Sequence, residues 1–507
     1  MTLLMNSVDQ LTYAQQQLVA QLHAQTGYNR YNYEVQNSYY EGVARIASLG
    51  ISIPPTMNRL KTVIGWPRVI VDSLDERLDV EGFRLSDGVD ADDDLWGIWQ
   101  ANNLDEESQL AHLDALTLGA SYVCVGSGDK PGDQPIITVE SALDMACVWD
   151  ARTRTIQAAF RSYVMGDFGI NPLTLVGTLY LPDSTISVVM PEGGGQWIVV
   201  DRDDHMLGKV PVVRLTNRAR ITDRNGRSEI TPEIISITDA ACRTLLGLEV
   251  AREFYAAPQR YMLGVSEKAF QGADGKAKNA WETYMGRILA LEADANGNMP
   301  QVGQFQTYSP EAFTKVLDEY AQILTSMTGL PAEYLGITTS IPSSADAIRM
   351  NSDRLINKVR RKQRSFEGGW EEVMRLALLI RDHVIPTDAL SMETLWRNPA
   401  IPTPAATADA IMKEVQIGAV PATSDVVLER LGYSALERRR LEIDREKDKA
   451  AQIEAELSQA LIAKEARVNS TIQADIVSAD TVQGTPPGAT VKGGPVTPPL
   501  VAPRGGK

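Results

Sequence analysis

The sequence has little cysteine and little histidine, and this scarcity excludes several kinds of protein. Its 507 residues include three cysteines, Cys124, Cys147 and Cys242, and four histidines. The cysteines lie far apart and form no CxxC pair, so neither a disulfide scaffold nor a zinc module is expected. We therefore predict no metal site, no cofactor, and a protein of a reducing compartment.

Long apolar runs are also missing. No stretch holds about 18 uncharged apolar residues in a row, the length that a membrane-spanning helix needs. The first ten residues contain neither the basic segment nor the apolar segment of a secretory signal. The sequence thus predicts a soluble protein without a membrane partner.

Positive charge is scarce. Lysine and arginine total 49 against 65 acidic residues, which gives a net charge of -16. A chain so acidic is a poor general DNA binder, because affinity for duplex comes chiefly from cations that displace counterions from phosphates. This balance argues against a repressor, but it is compatible with a conduit whose walls must let a polyanion slide.

Motifs of catalysis are absent. The segment Gly126–Lys130 fails the GxxxxGK[ST] spacing of a phosphate-binding loop and predicts a hairpin turn. The run Asp90–Asp94 lacks the glycine and the glutamate of a calcium loop, so a helix cap is expected. Asp201–His205 has an approximate metal-ligand composition but is predicted to be a surface turn. No catalytic residue is predicted, and the chain is not expected to be an enzyme.

The first 220 residues predict a mixture of helices and hairpins. Residues 9–49 are interpreted as two helices, and a third is expected to start near Pro54 and to be interrupted at Trp66-Pro67. Short apolar runs separated by turn clusters then predict strands. These runs are 121–125, 174–180, 186–189, 197–200 and 210–215.

Two helix-start signals of the same kind flank an insertion of about fifty residues. Thr231-Pro232-Glu233 predicts a helix that Pro258 ends, and Ser309-Pro310-Glu311 predicts another that ends near Gly329. The first helix is apolar on more than one face, so we expect neighbours to pack against it on both sides. Strands are predicted between the two helices at 260–263, 287–291 and 301–306.

The following segment predicts a very long helix. A polar loop, Gly336–Pro342, precedes Ser343–Asp346, which can cap a helix that runs towards Ile385. The pair Gly368-Gly369 in its middle predicts a kink. Further helices are expected from Thr403, Ser424 and Ser434, and a charged helix over 436–468. Beyond Gly484 the composition predicts disorder.

The long helix carries the one dense basic run of this acidic chain. Neighbouring residues on a helix diverge by about 100 degrees, so the five cations cannot share a face. Contact with DNA phosphates and ion pairing between subunits both remain open. The residues are Lys358, Arg360, Arg361, Lys362 and Arg364.

Several segments resemble the portal proteins of siphophages, especially phages that infect actinobacteria. The resemblance spans about residues 39 to 410, and the order of its segments matches the family throughout. Any single segment would be a weak signal, but the combination is specific. The matching segments are Tyr39–Gly42, Gly50–Pro55, Trp66–Val69, Val71–Leu74, Arg77–Leu78, Val80–Phe83, Ser343–Arg349 and Thr403–Ala410.

The resemblance implies an α+β fold, mostly α, with a wing, paired stem helices, a β-containing clip, a kinked long helix with a tunnel loop, and a helical crown. It implies that the loop of Gly336, Ile337, Thr338, Thr339, Ser340, Ile341 and Pro342 faces DNA. The expected regions are the wing 1–230, stem helix 231–257, clip 258–308, second stem helix 309–330, tunnel loop and long helix 331–399, crown 400–470 and disordered tail 471–507.

The implied function is mechanical. A dodecameric ring at one capsid vertex of the virion, assembled in the host cytoplasm, would conduct double-stranded DNA during packaging and ejection. The implied partners are the terminase large subunit, a head-tail adaptor, the major capsid protein and the scaffold. Two alternatives remain: a metal-dependent nuclease, and a DNA-binding regulator that uses the helices between Thr403 and Leu441. Three acids, Glu414, Asp425 and Glu429, argue against the regulator.

Overall fold

The computed structural model describes residues 10–44, 62–86, 88, 91–128, 130, 132–166, 174–191, 194–255, 260–263, 301–304, 309–337, 345–400, 404–422, 424–433 and 435–479. The chain divides into two compact units, Met1–Thr403 and Pro404–Lys507. About half of the described residues are helical, and every strand pair that they form is antiparallel. The predicted α+β class is therefore confirmed in its coarse form.

The first unit contains seven α-helices and two short 3-10 helices within its described residues. The α-helices are α1 Tyr13–Tyr40, α2 Trp66–Asp75, α3 Asp93–Ala101, α4 Leu104–Leu118, α5 Pro232–Tyr255, α6 Glu311–Thr328 and α7 Ala345–Asp382. The 3-10 helices are Ala332–Leu335 and Asp388–Ser391.

Twelve strands belong to the same unit within its described residues. They are β1 Val80–Arg84, β2 Ala120–Gly126, β3 Ile136–Ser141, β4 Met145–Trp149, β5 Ile156–Met165, β6 Thr174–Tyr180, β7 Thr185–Val189, β8 Ile198–Asp203, β9 Val212–Thr216, β10 Arg260–Leu263, β11 Gln301–Gln304 and β12 Glu393–Trp396.

The amino-terminal segment forms one helix, α1, and the prediction of two helices there was wrong. Thr12 begins it with a reciprocal capping box to Gln15. A mid-helix glycine, Gly27, costs only about 1 kcal/mol relative to alanine, and the buried side chains of Val19 and Leu22 offset that cost by packing on a sheet.

The prediction that Trp66-Pro67 interrupts a helix was also wrong, because α2 begins there. Proline fits the first turn of a helix, since its missing N–H would have no partner in that position. Pro54, where that third helix was predicted to start, lies outside the described residues.

The largest sheet is a five-stranded meander in the order β4-β5-β6-β7-β8. Its apolar face carries Phe160, Ile186 and Val188, which pack against α1 and form a separate core cluster. Sequence reasoning predicted β6, β7 and β8. It did not list β4 and β5, whose runs of alanine and mixed polarity carry a weak strand signal.

A three-stranded sheet in the order β3-β2-β9 lies within the main core. Helices α4 and α7 both pack against its central strand β2. The largest fully buried side chains of this core include Trp99, Trp370, Phe83 and Phe366, and Trp370 donates a hydrogen bond to His112 Nε2 at 2.8 Å. Burial lowers the pKa of His112 to about 3, so its ring is neutral.

Helices α5 and α6 form the predicted hairpin of long helices. They pack against one another, and Gly247 leaves room for the ring of Phe313, which would lie 3.2 Å from an added Cβ. Strands β10 and β11 pair at the two ends of the predicted insertion. The third predicted strand, 287–291, lies outside the described residues.

The long helix α7 continues without interruption through Gly368-Gly369. At Gly369 the helix approaches strand β9 so closely that an added Cβ would lie 2.4 Å from Leu215 Cδ2. The glycine therefore has a packing role against the sheet. After α7 the chain forms strand β12, which pairs with β1, and sequence reasoning did not find this pair.

The second unit contains helices α8 Pro404–Gln416, α9 Asp425–Arg430 and α10 Ala435–Ala479. Ser424 caps α9, and the start of α8 at Pro404 is also as predicted. Helix α10 runs on past residue 470, where the tail was predicted to begin, because no proline or glycine follows before Gly484. In the described part of the chain, no helix has the length and apolarity to cross a membrane.

Candidate functional site

The basic run of α7 separates into buried and exposed residues. Lys362 is buried, with 7% of its surface exposed, whereas Lys358 is half-buried. Arg360, Arg361 and Arg364 are exposed. The five cations therefore lie on different faces of the helix, as the helical geometry predicts. Lys362 lies in the interior of its own chain.

Lys362 has its partners within the chain. Its Nζ donates hydrogen bonds to Glu229 and to Asn217 Oδ1. Glu229 is itself buried, and its other oxygen lies 3.7 Å from Arg218 Nη1. Burial alone would raise the pKa of Glu229, but Lys362, Arg218 and the Asn217 amide outweigh burial and hold that pKa below its usual range. The carboxylate is therefore charged at neutral pH.

These partners lie at the base of the loop between β9 and α5, residues 217–231. Asn217 Nδ2 donates to the Arg227 carbonyl at 2.7 Å, and Arg214 Nη1 donates to Asn225 Oδ1 at 3.1 Å. At Gly226 the φ angle is +84°, and an added Cβ would lie 2.1 Å from the carbonyl oxygen of Gly119. Only glycine fits there, because the positive φ disfavours other residues and any Cβ would overlap that carbonyl.

This loop exposes four arginines that sequence reasoning missed. The signal in the sequence was four cations within ten residues of an acidic chain. Ile221 at the loop tip is 91% exposed. The arginines are Arg218, Arg220, Arg224 and Arg227.

Cations from the loop and from α7 crowd one region. The pKa of Lys358 is lowered by burial first, and Arg218, Lys362 and Arg354 lower it further against the opposing effect of Glu229. We call Arg218, Arg354 and Lys358 the basic patch. Glu229 is shared between Lys362 and Arg218, so this one carboxylate faces several cations and the patch keeps a net positive charge that suits phosphate or carboxylate groups.

The basic patch adjoins the segment that leads into the predicted tunnel loop. Arg354 Nη1 donates to the Ser326 carbonyl at 2.8 Å, near the end of α6. Tyr334, in the following 3-10 helix, accepts a hydrogen bond from Arg77 at 2.9 Å. Of the predicted loop, Gly336 ends that 3-10 helix with a φ of +85°, and Ile337 packs against the main core. Thr338–Pro342 lie outside the described residues.

The motifs rejected in the sequence have structural explanations. Gly126 is the last residue of β2, which pairs with β3 in the predicted hairpin. Asp92 caps α3 by accepting hydrogen bonds from the backbone N–H groups of Asp94 and Leu95. Asp201 and Asp203 lie on strand β8 rather than in the predicted turn, because they pair with β7. The described residues contain no group of three acidic, histidine or cysteine side chains placed to hold a metal ion.

Comparisons with known proteins agree over most of the chain. A family model described as phage portal protein, SPP1 Gp6-like, matches residues 21–431. The portal protein of Mycobacterium phage D29 is 40% identical over 372 residues, which cover 72% of this chain and 75% of that protein. The portal protein of Mycobacterium phage L5 is 39% identical over 366 residues, which cover 71% and 74%.

Solved structures also show a likeness. A chain from the virion of a native gene transfer agent particle has a TM-score of 0.40 and 14% identity, with 71% of this chain and 85% of that chain covered. A chain from the neck of a native gene transfer agent particle, computed with C12 symmetry, has a TM-score of 0.39 and 15% identity, with 72% and 88% covered.

Proposed function

This chain belongs to the SPP1 Gp6-like family of phage portal proteins, and from that premise we propose that it works as a closed ring at one vertex of the capsid. As a portal protein it is a structural component of the phage and not an enzyme. The ring would conduct double-stranded DNA during packaging and ejection. Terminase would dock on it during packaging, and head-tail connector proteins would dock later.

The apolar faces of α5 and α6 carry the proposal. In the second half of α5, the side chains of Leu245, Leu246 and Leu248 are all half-buried although they point in different directions around the helix. On α6, Ile323 and Met327 are each 41% exposed. One chain cannot cover apolar side chains on several faces of a two-helix hairpin. Identical neighbours on both flanks of a heterologous ring would cover them.

The regional plan follows the same reasoning. We assign α5 and α6 to a stem, the segment between them to a clip, and the residues before α5 to a wing. The second unit, which begins at Pro404, would be the crown. Twelve copies would have a mass of about 670 kDa, from 55.5 kDa each, and a net charge of about -190, from -16 each.

The charge balance suits a channel that does not retain DNA. Most of an acidic ring repels phosphates, so contact with the duplex would be confined to a few local groups. We assign that contact to the tunnel loop, through the short hydroxyl groups of Thr338, Thr339 and Ser340. Exposed cations of α7, such as Arg361, and the basic patch would give further weak contacts. Lys362 is left out because Glu229 neutralises it inside the chain.

Mass measurement of the purified full-length chain tests the proposal, together with negative-stain microscopy. We expect rings with a central hole. The variant Ile323→Glu places a charge on the exposed apolar face of α6 and should convert rings into smaller species without changing the far-UV circular dichroism. Gln322→Glu adds the same charge at the adjacent exposed position and should leave the rings intact. A compact monomer of the unmodified chain under capsid-assembly conditions would contradict the proposal.

A further inference from the structure

The tip of the loop between β9 and α5, residues 219–227, carries an exposed apolar side chain among cations. Ile221 is 91% exposed, and the arginines of the tip, Arg220, Arg224 and Arg227, are exposed as well. Asp223 lies 3.4 Å from Arg227 Nε. Three arginines against this one aspartate leave the tip with a net charge of +2. Such a tip suits an acidic protein surface that also offers apolar atoms.

An acidic cavity of about 380 Å³ lies in the same unit, where β1 meets α3 and α4. Three carboxylates line it, those of Asp79, Glu81 and Asp105. The lining also includes Arg397, whose Nη1 lies 3.4 Å from Asp79 Oδ2. Three carboxylates against one guanidinium give the cavity a net charge of -2, equal and opposite to that of the loop tip. Its apolar lining residues are Val80 and Trp99.

The loop and the cavity lie at opposite ends of α4. The Asn217 N–H donates to the Gly119 carbonyl at 2.9 Å, which ties the base of the loop to the carboxyl end of the helix. Asp105 of the cavity lies in the first turn, and the 15 residues of α4 span roughly 20 Å. None of the loop residues, all of which the structure describes, lines the cavity of its own chain. The two complementary surfaces are therefore placed for a contact between chains.

The two surfaces also lie at one level of α7 but on different sides of it. Lys362 donates to Asn217 at the base of the loop, whereas the next residue, Gln363, donates to the Arg397 carbonyl at 3.0 Å beside the cavity. Consecutive residues of a helix point about 100° apart. A closed ring requires complementary surfaces on different sides of each copy, and the loop and the cavity meet this requirement.

We propose that the tip of the 219–227 loop docks in the acidic cavity of the adjacent copy of this chain. The contact is head-to-tail: each copy gives its loop to one neighbour and receives the loop of the other, so every surface is used once around the ring. Arg220 and Arg224 approach the carboxylates of the cavity, and Ile221 packs against Val80. The inference rests on the proposed ring and names one of its contacts in the first unit.

Cross-linking of the full chain tests the proposal. Thr222→Cys in the loop tip and Gln109→Cys at the cavity are made in the same chain, and both positions are exposed. These substitutions keep every arginine and carboxylate of the contact. The assembled protein is treated with a short bis-maleimide. The native cysteines are all buried, so they contribute little background.

We expect a ladder of cross-linked products that continues beyond the dimer, because a head-to-tail contact joins each copy to the next. A two-fold contact would stop at the dimer. Ser127→Cys with Gln109→Cys is the matched control. Ser127 follows β2 at the end of this strand away from the loop, so the control should give at least tenfold less of the ladder.

A charge reversal gives a second measurement in the chain without added cysteines. Arg224→Glu should lower the salt concentration at which rings dissociate, because it places a carboxylate against the acidic cavity. Lys130→Glu reverses a charge outside both surfaces and should leave that concentration unchanged. If the cysteine pair itself prevents assembly, this measurement decides alone.

Rings that give no ladder, that stop at dimers, or that link equally in the control would overturn the docking of the loop and leave the proposed function standing. Arg224→Glu rings that withstand salt as well as the unmodified rings would overturn it too. An unmodified chain that forms no rings would instead overturn the proposed function, and the docking with it.

Discussion

Replacing Lys362 with methionine tests how the loop before α5 is held. The substitution keeps the length of the side chain but removes its charge, which leaves the Glu229 carboxylate buried beside only the Asn217 amide and the more distant Arg218. Removing one partner of a buried ion pair costs about 3–5 kcal/mol, because the remaining charge has lost both water and its partner. We expect Lys362→Met to lower the free energy of unfolding by about that amount.

Chemical unfolding of the unassembled chain measures the effect. Arg360→Met removes an exposed charge two residues earlier on the same helix. This control should change the free energy of unfolding by no more than about 0.5 kcal/mol. The double variant Lys362→Met with Glu229→Leu removes both charges and should recover most of the loss. A single variant as stable as the unmodified chain would show that the pair contributes nothing to the fold.

The same pair predicts a pH dependence. The pKa of Glu229 is lower in the folded chain than in the unfolded chain. Its contribution to stability is therefore fully present above the usual pKa of glutamate and is lost as pH falls through the folded value. Glu229→Gln should flatten the unfolding profile in that acidic range, and identical profiles for the two proteins would refute the assignment.

Two further predictions concern packing and burial. Gly369→Ala should destabilise the first unit by about 1–3 kcal/mol in thermal or chemical unfolding, because the new Cβ would overlap Leu215. Gly368→Ala is the control, since its Cβ meets no atom within 4 Å and the substitution should be neutral or stabilising. Equal effects of the two substitutions would contradict the packing role of Gly369. Burial and neighbouring acids raise the pKa of Asp75 to about 7, so the ionised form destabilises the fold as pH rises from about 4 through 7. Asp75→Asn should therefore raise the midpoint of thermal unfolding at pH 8 but not at pH 4, and the opposite pattern would exclude this cause.

Local signals predicted the proline-initiated helices better than the amino-terminal helices and the sheets. The proline-initiated starts of α5 and α6 needed only neighbouring residues, and both helices begin within two residues of the predicted positions. Strands β1 and β12 could not be found in this way, because their partner is far away in the sequence and each is short. The sequence also could not show that Gly369 packs against Leu215 of strand β9, because that strand lies far from it in the chain.

The candidate site shows the same limit. Basic density along α7 drew attention to Lys358–Arg364, but the sequence could not tell that Lys362 points inward, because its acidic partner lies 133 residues earlier. The arginines of the 218–227 loop are recognisable in the sequence as a cluster of basic residues. Only the structure shows that the base of this loop is held by a hydrogen bond from Asn217 to the Arg227 carbonyl and by the close approach of Gly226 to Gly119.

The pairing of β1 with β12 has a consequence for synthesis. Arg84 bonds with Glu393, 309 residues later, so the edge of the first unit stays open while the whole intervening chain is made. At about 5–20 residues per second, the ribosome would take roughly 15–60 s to produce the missing strand. During that interval an unpaired strand is exposed to other nascent chains. Slower translation or loss of chaperones should therefore lower the yield of folded protein before any ring can form.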